Sequence, residues 1–343
     1  MACEVIVDNI SREDWERYAD DFGDYSIYQT WPYQQVRAEL DGQELNQVVV
    51  KEENGHVLTM CQMRIRHVKP LGLKIGYVQW GPLFRRKDGT VKCSVQALDI
   101  MQRSYLGSRV NVLRVLPNAE ANRSGQEFAA ILESVGFEYV SNVKPHLTMM
   151  VPVDDSEEQM RRRLHRSWRR GLIKAERNGI EIKESEDSKY FDVLEKMYLE
   201  AKKRKAFKGL NPQEFIRPQL MLSDKEKMNV IVAYYDGEPI TSHASSHLGD
   251  TAVGTLAACS EKGLECSASY LVWWRTFLAA KRAGMKRYDL GGIDPKKNPK
   301  VFQFKQRMGA QKVSYIGAYE MCTSSTVKTI WRTAEKLYRF VKR

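Results

Sequence analysis

A strand–turn–strand unit occurs twice in these 343 residues. The first is VVVKEENGHVLTMCQ (48–62), turning at Asn54-Gly55, and the second is NVIVAYYDGEPITSHASSHL (229–248), turning at Asp236-Gly237. Asn-Gly and Asp-Gly between apolar, β-branched runs signal a tight hairpin, because the turn whose twist suits the strands needs positive φ. A helix–glycine–strand junction recurs as well, as LESVGFEYV (132–140) and AAKRAGMKRYDLGG (279–292). In both, the glycine closes a helix and the next apolar run starts a strand. Two copies of one mixed α/β domain are therefore expected, and the length fits roughly two domains of about 150 residues.

Placing the other elements gives each half the same order. Ser11 caps a helix to Tyr18, and 30–40 is a second helix with Pro32 in its first turn. Strands are predicted at 47–53, 56–68, 74–80, 111–116, 137–140 and 146–153, and helices at 93–106 and 124–136. One long helix then runs from Ser156, boxed with Gln159, to Asn178-Gly179. A helix at 188–207, the second hairpin, a strand at 250–259, a helix at 266–284 and a strand at 285–292 complete the repeat, and 325–343 is a last helix. The first domain is expected to comprise 1–152 with 318–343 returning to it, and the second 153–317.

The net charge of +11 is unevenly spread, with runs at 161–177, 202–208 and 325–343. Such a surface attracts phosphates, whether of nucleic acid, anionic lipid or a nucleotide-linked substrate. Six cysteines without a CxxC pair point to reduced thiols. The acidic N-terminus has no signal-peptide layout and no apolar run reaches the roughly 20 residues of a membrane span, so a cytoplasmic location is expected. A phosphate loop and GxGxxG are both absent, so nucleotide hydrolysis and hydride transfer have no support. His243 and His247 lack a nearby third ligand and read as ordinary hydrogen-bonded histidines, giving no metal site. Cys259 beside them has nothing to orient it as a nucleophile.

The densest chemistry lies in YDLGG (288–292) and VFQFKQRMG (301–309). On residue types alone, Lys305 is a lysine in a basic loop. The pyrophosphate-cradling (Q/R)xxGx(G/A) pattern of acyl-coenzyme A enzymes is not met; QRMGAQ (306–311) comes nearest and ends in the wrong residue.

The segment SYLVWWRTFLAAKRAGMKRYDLGGI followed by VFQFKQRMGAQKVSYIGAYE resembles the FemABX family of non-ribosomal peptidyltransferases. LHRSWRRGLIKAERNGIEI (164–182) is similar to that family's arginine-rich helix, and TWPYQQVRAELDG (30–42) to its N-terminal one. The resemblance implies two tandem domains of the GCN5-related acyltransferase (GNAT) fold, in a compact member without an inserted helical hairpin. It implies transfer of an amino acid from aminoacyl-tRNA to an amine of a peptidoglycan precursor or related acceptor, with no cofactor beyond that donor. Lys305 would stabilise the tetrahedral oxyanion, Phe304 would help exclude water, and Gly291 and Gly292 would let the donor approach the sheet. Arg37, Trp31 and Arg204 would bind the acceptor. Arg162, Arg166, Arg169 and Arg170 would contact tRNA, and Trp168 would stack on a base or pack. A monomer is expected, peripheral to the cytoplasmic membrane face. Two departures bear on the acceptor: Leu116-Pro117 stands where many members have Asp-Pro, and TAVGTL (251–256) lacks a frequent tyrosine. The alternatives are an acyl-coenzyme A-dependent N-acyltransferase acting on polysaccharide or lipid, and a non-catalytic RNA- or membrane-surface-binding protein.

Overall fold

The computed structural model describes residues 3–88, 95–205 and 209–341. Contacts divide the chain into two compact units. One comprises Met1–Asp24, Arg37–His146 and Tyr315–Arg343; the other comprises Tyr25–Val36 and Leu147–Ser314.

The first unit is built on a seven-stranded sheet of β1 (Cys3–Val7), β2 (Glu44–Glu52), β3 (Val57–Val68), β4 (Leu73–Gln79), β5 (Val112–Leu116), β6 (Glu138–Tyr139) and the late strand β14 (Tyr319–Cys322). The spatial order is β1-β2-β3-β4-β5-β14-β6. Helices α1 (Arg12–Ala19), α3 (Val95–Arg103), α4 (Arg123–Ser134) and the C-terminal α12 (Ser325–Val341) belong to it, as does the end of α2 (Trp31–Asp41). Val48, Val50, Cys61 and Met63 from the hairpin meet Leu98, Phe128 and Leu132 in its core. Phe84 stacks on Phe128 at 4.0 Å between ring centres.

The second unit repeats the plan. Its strands are β7 (Leu147–Pro152), β8 (Glu181–Ser185), β9 (Asn229–Tyr235), β10 (Glu238–Ser246), β11 (Thr251–Cys259), β12 (Arg287–Gly292) and β13 (Gln311–Ser314), in the order β13-β7-β12-β11-β10-β9-β8. The helices are α5 (Glu157–Arg163), α6 (Arg166–Arg177), α7 (Ser188–Lys205), α8 (Gln213–Met221), α9 (Glu261–Glu265), α10 (Ala268–Arg282) and α11 (Pro299–Gln306). Trp168, Leu172, Trp274, Phe277 and Tyr288 form one cluster. Phe191, Leu194, Phe215, Val230 and Val232 form another, which includes Ile27 and Tyr33 from the early segment. The mixed α/β class and the two tandem GNAT-like domains are as the sequence implied.

One difference between the units positions the site. In the first, the parallel strands β4 and β5 stay paired over five residues, from Ile75–Val112 to Gln79–Leu116. In the second, β11 and β12 pair only from Thr251–Arg287 to Val253–Asp289, then continue unpaired to Cys259 and Gly292. On their outer sides β10 slips register against β11 at Ala244/Ser245, and β12 slips against β7 between Asp289 and Gly292. The sheet therefore opens into a wedge in the second unit and stays closed in the first.

Several elements differ from the sequence expectations. The long helix after Ser156 is two helices, because Leu164 is extended (φ −61°, ψ 135°) and the His165 ring then caps the second by accepting from Ser167 N at 3.2 Å. The helix expected from Cys93 is described from Val95, and the one expected to 207 is described to Lys205; Cys93, Ser94 and 206–208 lie outside the described residues. The first long segment ends at His146 rather than 152, since Leu147–Pro152 is hydrogen-bonded to β12 and β13. The return begins at Tyr315 rather than 318, and Tyr25–Val36 sorts with the second unit through Ile27 and Tyr33.

Candidate active site in the second unit

The strand RYDLGG (β12) ends where the sheet opens. Asp289 is buried and accepts hydrogen bonds from the Thr148 hydroxyl and from Gly291 N (2.8 Å). That inward pull turns the chain through Gly291 at φ +78°, a conformation that favours glycine. The Gly291 and Gly292 carbonyls then face Lys305, whose Nζ donates to them at 3.0 and 3.1 Å.

Lys305 is carried by α11, where Asn298 caps the first turn and Pro299 is tolerated within it. It is not on a loop or a pocket rim, as the sequence suggested, but in the last helical turn and only 9% exposed. Burial lowers its pKa to about 8, against a smaller upward pull from the Asp289 carboxylate. An ammonium has three donors; two are engaged by the glycine carbonyls, which leaves one for a third oxygen.

Opposite stands Gly254 of β11. A Cβ there would meet His243 Cε1 and Nε2 and the Tyr288 hydroxyl, each at 3.3 Å. A Cβ on Gly291 would lie 3.9 Å from the Gly254 carbonyl and 3.9 Å from Lys305 Nζ. Gly291 thus keeps a side chain out of the space beside the ammonium, and Gly254 lets His243 and Tyr288 pack close against β11. Behind them His243 Nε2 and the Tyr288 hydroxyl are 2.7 Å apart, and the His243 ring lies 4.1 Å from that of Trp273. Burial, then the Lys305 charge, push the His243 pKa down to about 3, so it is neutral at physiological pH. His247, bonded to Ser245 at 3.0 Å, is pushed down to about 4 by burial and then by the Arg282 charge.

Lys305, Phe304, Gly291 and Gly292 are thus brought together. Phe304 is half-buried and packs edge-on to Tyr270 at 5.3 Å and obliquely to Trp168 at 6.1 Å, fixing α11 to the core. Arg204 lies apart. It donates to the Cys259 carbonyl at 2.8 Å and lines a cavity of about 280 Å³ with Lys196, Glu200 and Ser260. Cys259 is five residues beyond Gly254 on β11, which is ~16 Å along a strand. Trp31 is half-buried at the start of α2, within the second unit, whereas Arg37 belongs to the first and pairs with Asp41 at 2.8 Å. Arg162 pairs with Glu158, and Arg166, Arg169 and Arg170 are exposed on α6. Trp168 is fully buried in the core, so it packs and does not stack on a base.

Gly254, Thr148, Asp289 and the His243–Tyr288 pair were not singled out as site residues by sequence. A glycine interrupting the strand TAVGTL was the available sign for Gly254. The partners of Asp289 depend on a register between β7 and β12 that no local pattern reveals.

Residues 247–336 match the FemAB family. A structure titled as FemX superposes with a TM-score of 0.80 at 14% identity, covering 99% of this chain and 100% of that one. A conserved protein of unknown function from Bacteroides thetaiotaomicron gives 0.60 at 8% identity, with 94% and 100% covered. L-PGS from Bacillus licheniformis gives 0.50 at 12%, with 94% and 96% covered. No curated protein sequence matches. Identities this low show the fold, and the family match falls on the segment holding Gly254, Asp289, Gly291, Gly292 and Lys305. The chain thus matches the FemAB family over 247–336 and shares the fold of FemX along nearly its whole length.

Proposed function

We propose that this chain is an aminoacyltransferase that moves an amino acid from aminoacyl-tRNA to an amine of a peptidoglycan precursor. The observation that carries the reading is the wedge between β11 and β12, where a buried ammonium keeps one donor free beside two glycine walls. Attack of an amine on the ester carbonyl makes a tetrahedral oxyanion, which collapses to the amide as the ester C–O bond breaks and the tRNA ribose hydroxyl leaves with a proton given up by the amine. A fixed cation in a water-poor cleft stabilises that charge more than it stabilises the neutral ester. Lys305 takes this role. The Gly291 and Gly292 carbonyls hold it in place, and Asp289 holds the turn that presents them. Gly291 leaves room for the ester, and Phe304 locks α11 so that the lysine does not drift. The exposed arginines of α6 suit the phosphates of tRNA.

The test is a transfer assay with purified chain, labelled aminoacyl-tRNA and an amine-bearing cell-wall precursor. Ribonuclease treatment of the donor should abolish transfer. An acyl-coenzyme A donor that supported turnover would replace this reading with an acyl-coenzyme A-dependent one, and RNA binding without turnover would leave a binding protein.

A further inference from the structure

We infer that the far end of α12 is a docking surface for an anionic lipid bilayer. The helix is pinned to the first unit along its first three turns. Arg114 donates through Nε to Glu320 at 2.8 Å and through Nη1 to Glu335 at 2.7 Å. Trp331 Nε1 donates to Glu320 at 2.9 Å, and Lys328 and Arg332 reach Glu138 at 2.6 and 3.3 Å. Past this network the helix continues with large apolar side chains in solvent: Leu337 is 61% and Phe340 80% exposed, with Tyr338 half-exposed between them.

Ile330, Leu337 and Phe340 are seven and three residues apart, so they share one side of the helix, away from the Trp331 and Glu335 anchors. Leaving such side chains in water beside a firmly anchored base calls for an occupant. Charge identifies it. From 336 to 343 the sequence KLYRFVKR carries four cations and no carboxylate. Leucine and phenylalanine flanked by Lys and Arg form the composition that lies in the headgroup region, with rings and aliphatic chains among the acyl tails and cations at anionic phosphates. No described helix is long and apolar enough to cross a membrane, so α12 lies on the surface. A phosphate-only partner such as RNA would match the cations and leave Leu337 and Phe340 unburied.

The test is sedimentation of the full chain with vesicles of phosphatidylglycerol or of phosphatidylcholine. The wild type should bind the anionic vesicles at least ~10-fold more tightly, since each cation near an anionic surface contributes about fivefold. Leu337→Glu/Phe340→Glu should reduce that binding by ~10-fold or more, and Lys336→Gln by about fivefold. Leu220→Glu, an equally exposed leucine on α8, should change nothing. These positions are exposed, so thermal melts should be unaltered. Equal binding to both vesicle types, or a double variant that binds like wild type, would overturn the inference. So would a chain that ignores vesicles and forms a dimer that Leu337→Glu/Phe340→Glu dissociates.

Discussion

Lys305 is a buried cation held by two carbonyls, and its environment makes two predictions. Lys305→Met should lower kcat by roughly 100- to 1000-fold, about 3–4 kcal/mol, the cost of removing one oxyanion donor, with little change in KM. Lys305→Arg should recover little, because a planar guanidinium cannot place one donor beside two carbonyls in the same volume. The fold should survive: the stranded glycine carbonyls cost ~1 kcal/mol each at most where water reaches them, and losing a desolvated ammonium offsets part of this. Steady-state kinetics with a thermal melt would separate the two effects. The pH dependence follows from the lowered pKa of about 8. The charged form is the active one, so activity is fully present below that value and is lost as pH rises through it, about two units earlier than for an ordinary lysine. A falling limb of kcat/KM near pH 8 is expected; a plateau to pH 10 would mean that the lysine charge is not used. Gly254 provides an independent check. Gly254→Val places methyl groups against His243 and Tyr288 and so displaces the β11 wall of the wedge, and transfer should fall ~100-fold or more while the chain stays folded. Near-normal turnover in that variant would move the site elsewhere. Lys305, Phe304 and the two glycines were picked out through the family resemblance of 288–309, and the structure sets Lys305 against both glycine carbonyls. Gly254 and Asp289 were not, because their roles exist only once β11 and β12 pair and then part.

At the scale of elements, local signals did well where a short-range rule decides the outcome. The hairpins at Asn54-Gly55 and Asp236-Gly237, the Ser156 capping box and the helix ending at Gly284 all form. They did poorly where tertiary pairing decides. The strands β1, β8 and β13 are short or partly exposed, carry no clear alternation and exist through their partners β2, β9 and β7. The apparently continuous helix at 156–179 breaks at Leu164, where a buried leucine and a capping histidine outweigh helical propensity. The attachment of α12 was equally hidden, since it depends on Arg114, Glu320 and Glu335, far apart in sequence. Arg114→Met should destabilise the first unit by about 3 kcal/mol, because the buried Glu320 carboxylate loses its nearest cation and keeps only Trp331 and the more distant Arg332. Adding Glu320→Gln should restore part of this. Urea titrations of the single and double variants measure both, and an additive pair would show that the network is not coupled.

For the whole molecule, duplication was the strongest sequence inference, and both sheets have seven strands. The copies have diverged in one functional respect: β4 and β5 remain zipped while β11 and β12 open beside a lysine. On the proposed function the chemistry lies in the second unit, and the net charge of +11 suits a polyanionic donor. On the same proposal this wedge accepts an amino acid from tRNA. That transfer is tested most directly by single-turnover transfer from labelled aminoacyl-tRNA to an amine-bearing peptidoglycan precursor, comparing wild type with Lys305→Met. Wild type should form a labelled amide in a ribonuclease-sensitive reaction, slowed at least ~100-fold in the variant. Equal rates for the two proteins, or transfer supported by an acyl-coenzyme A and indifferent to ribonuclease, would contradict it.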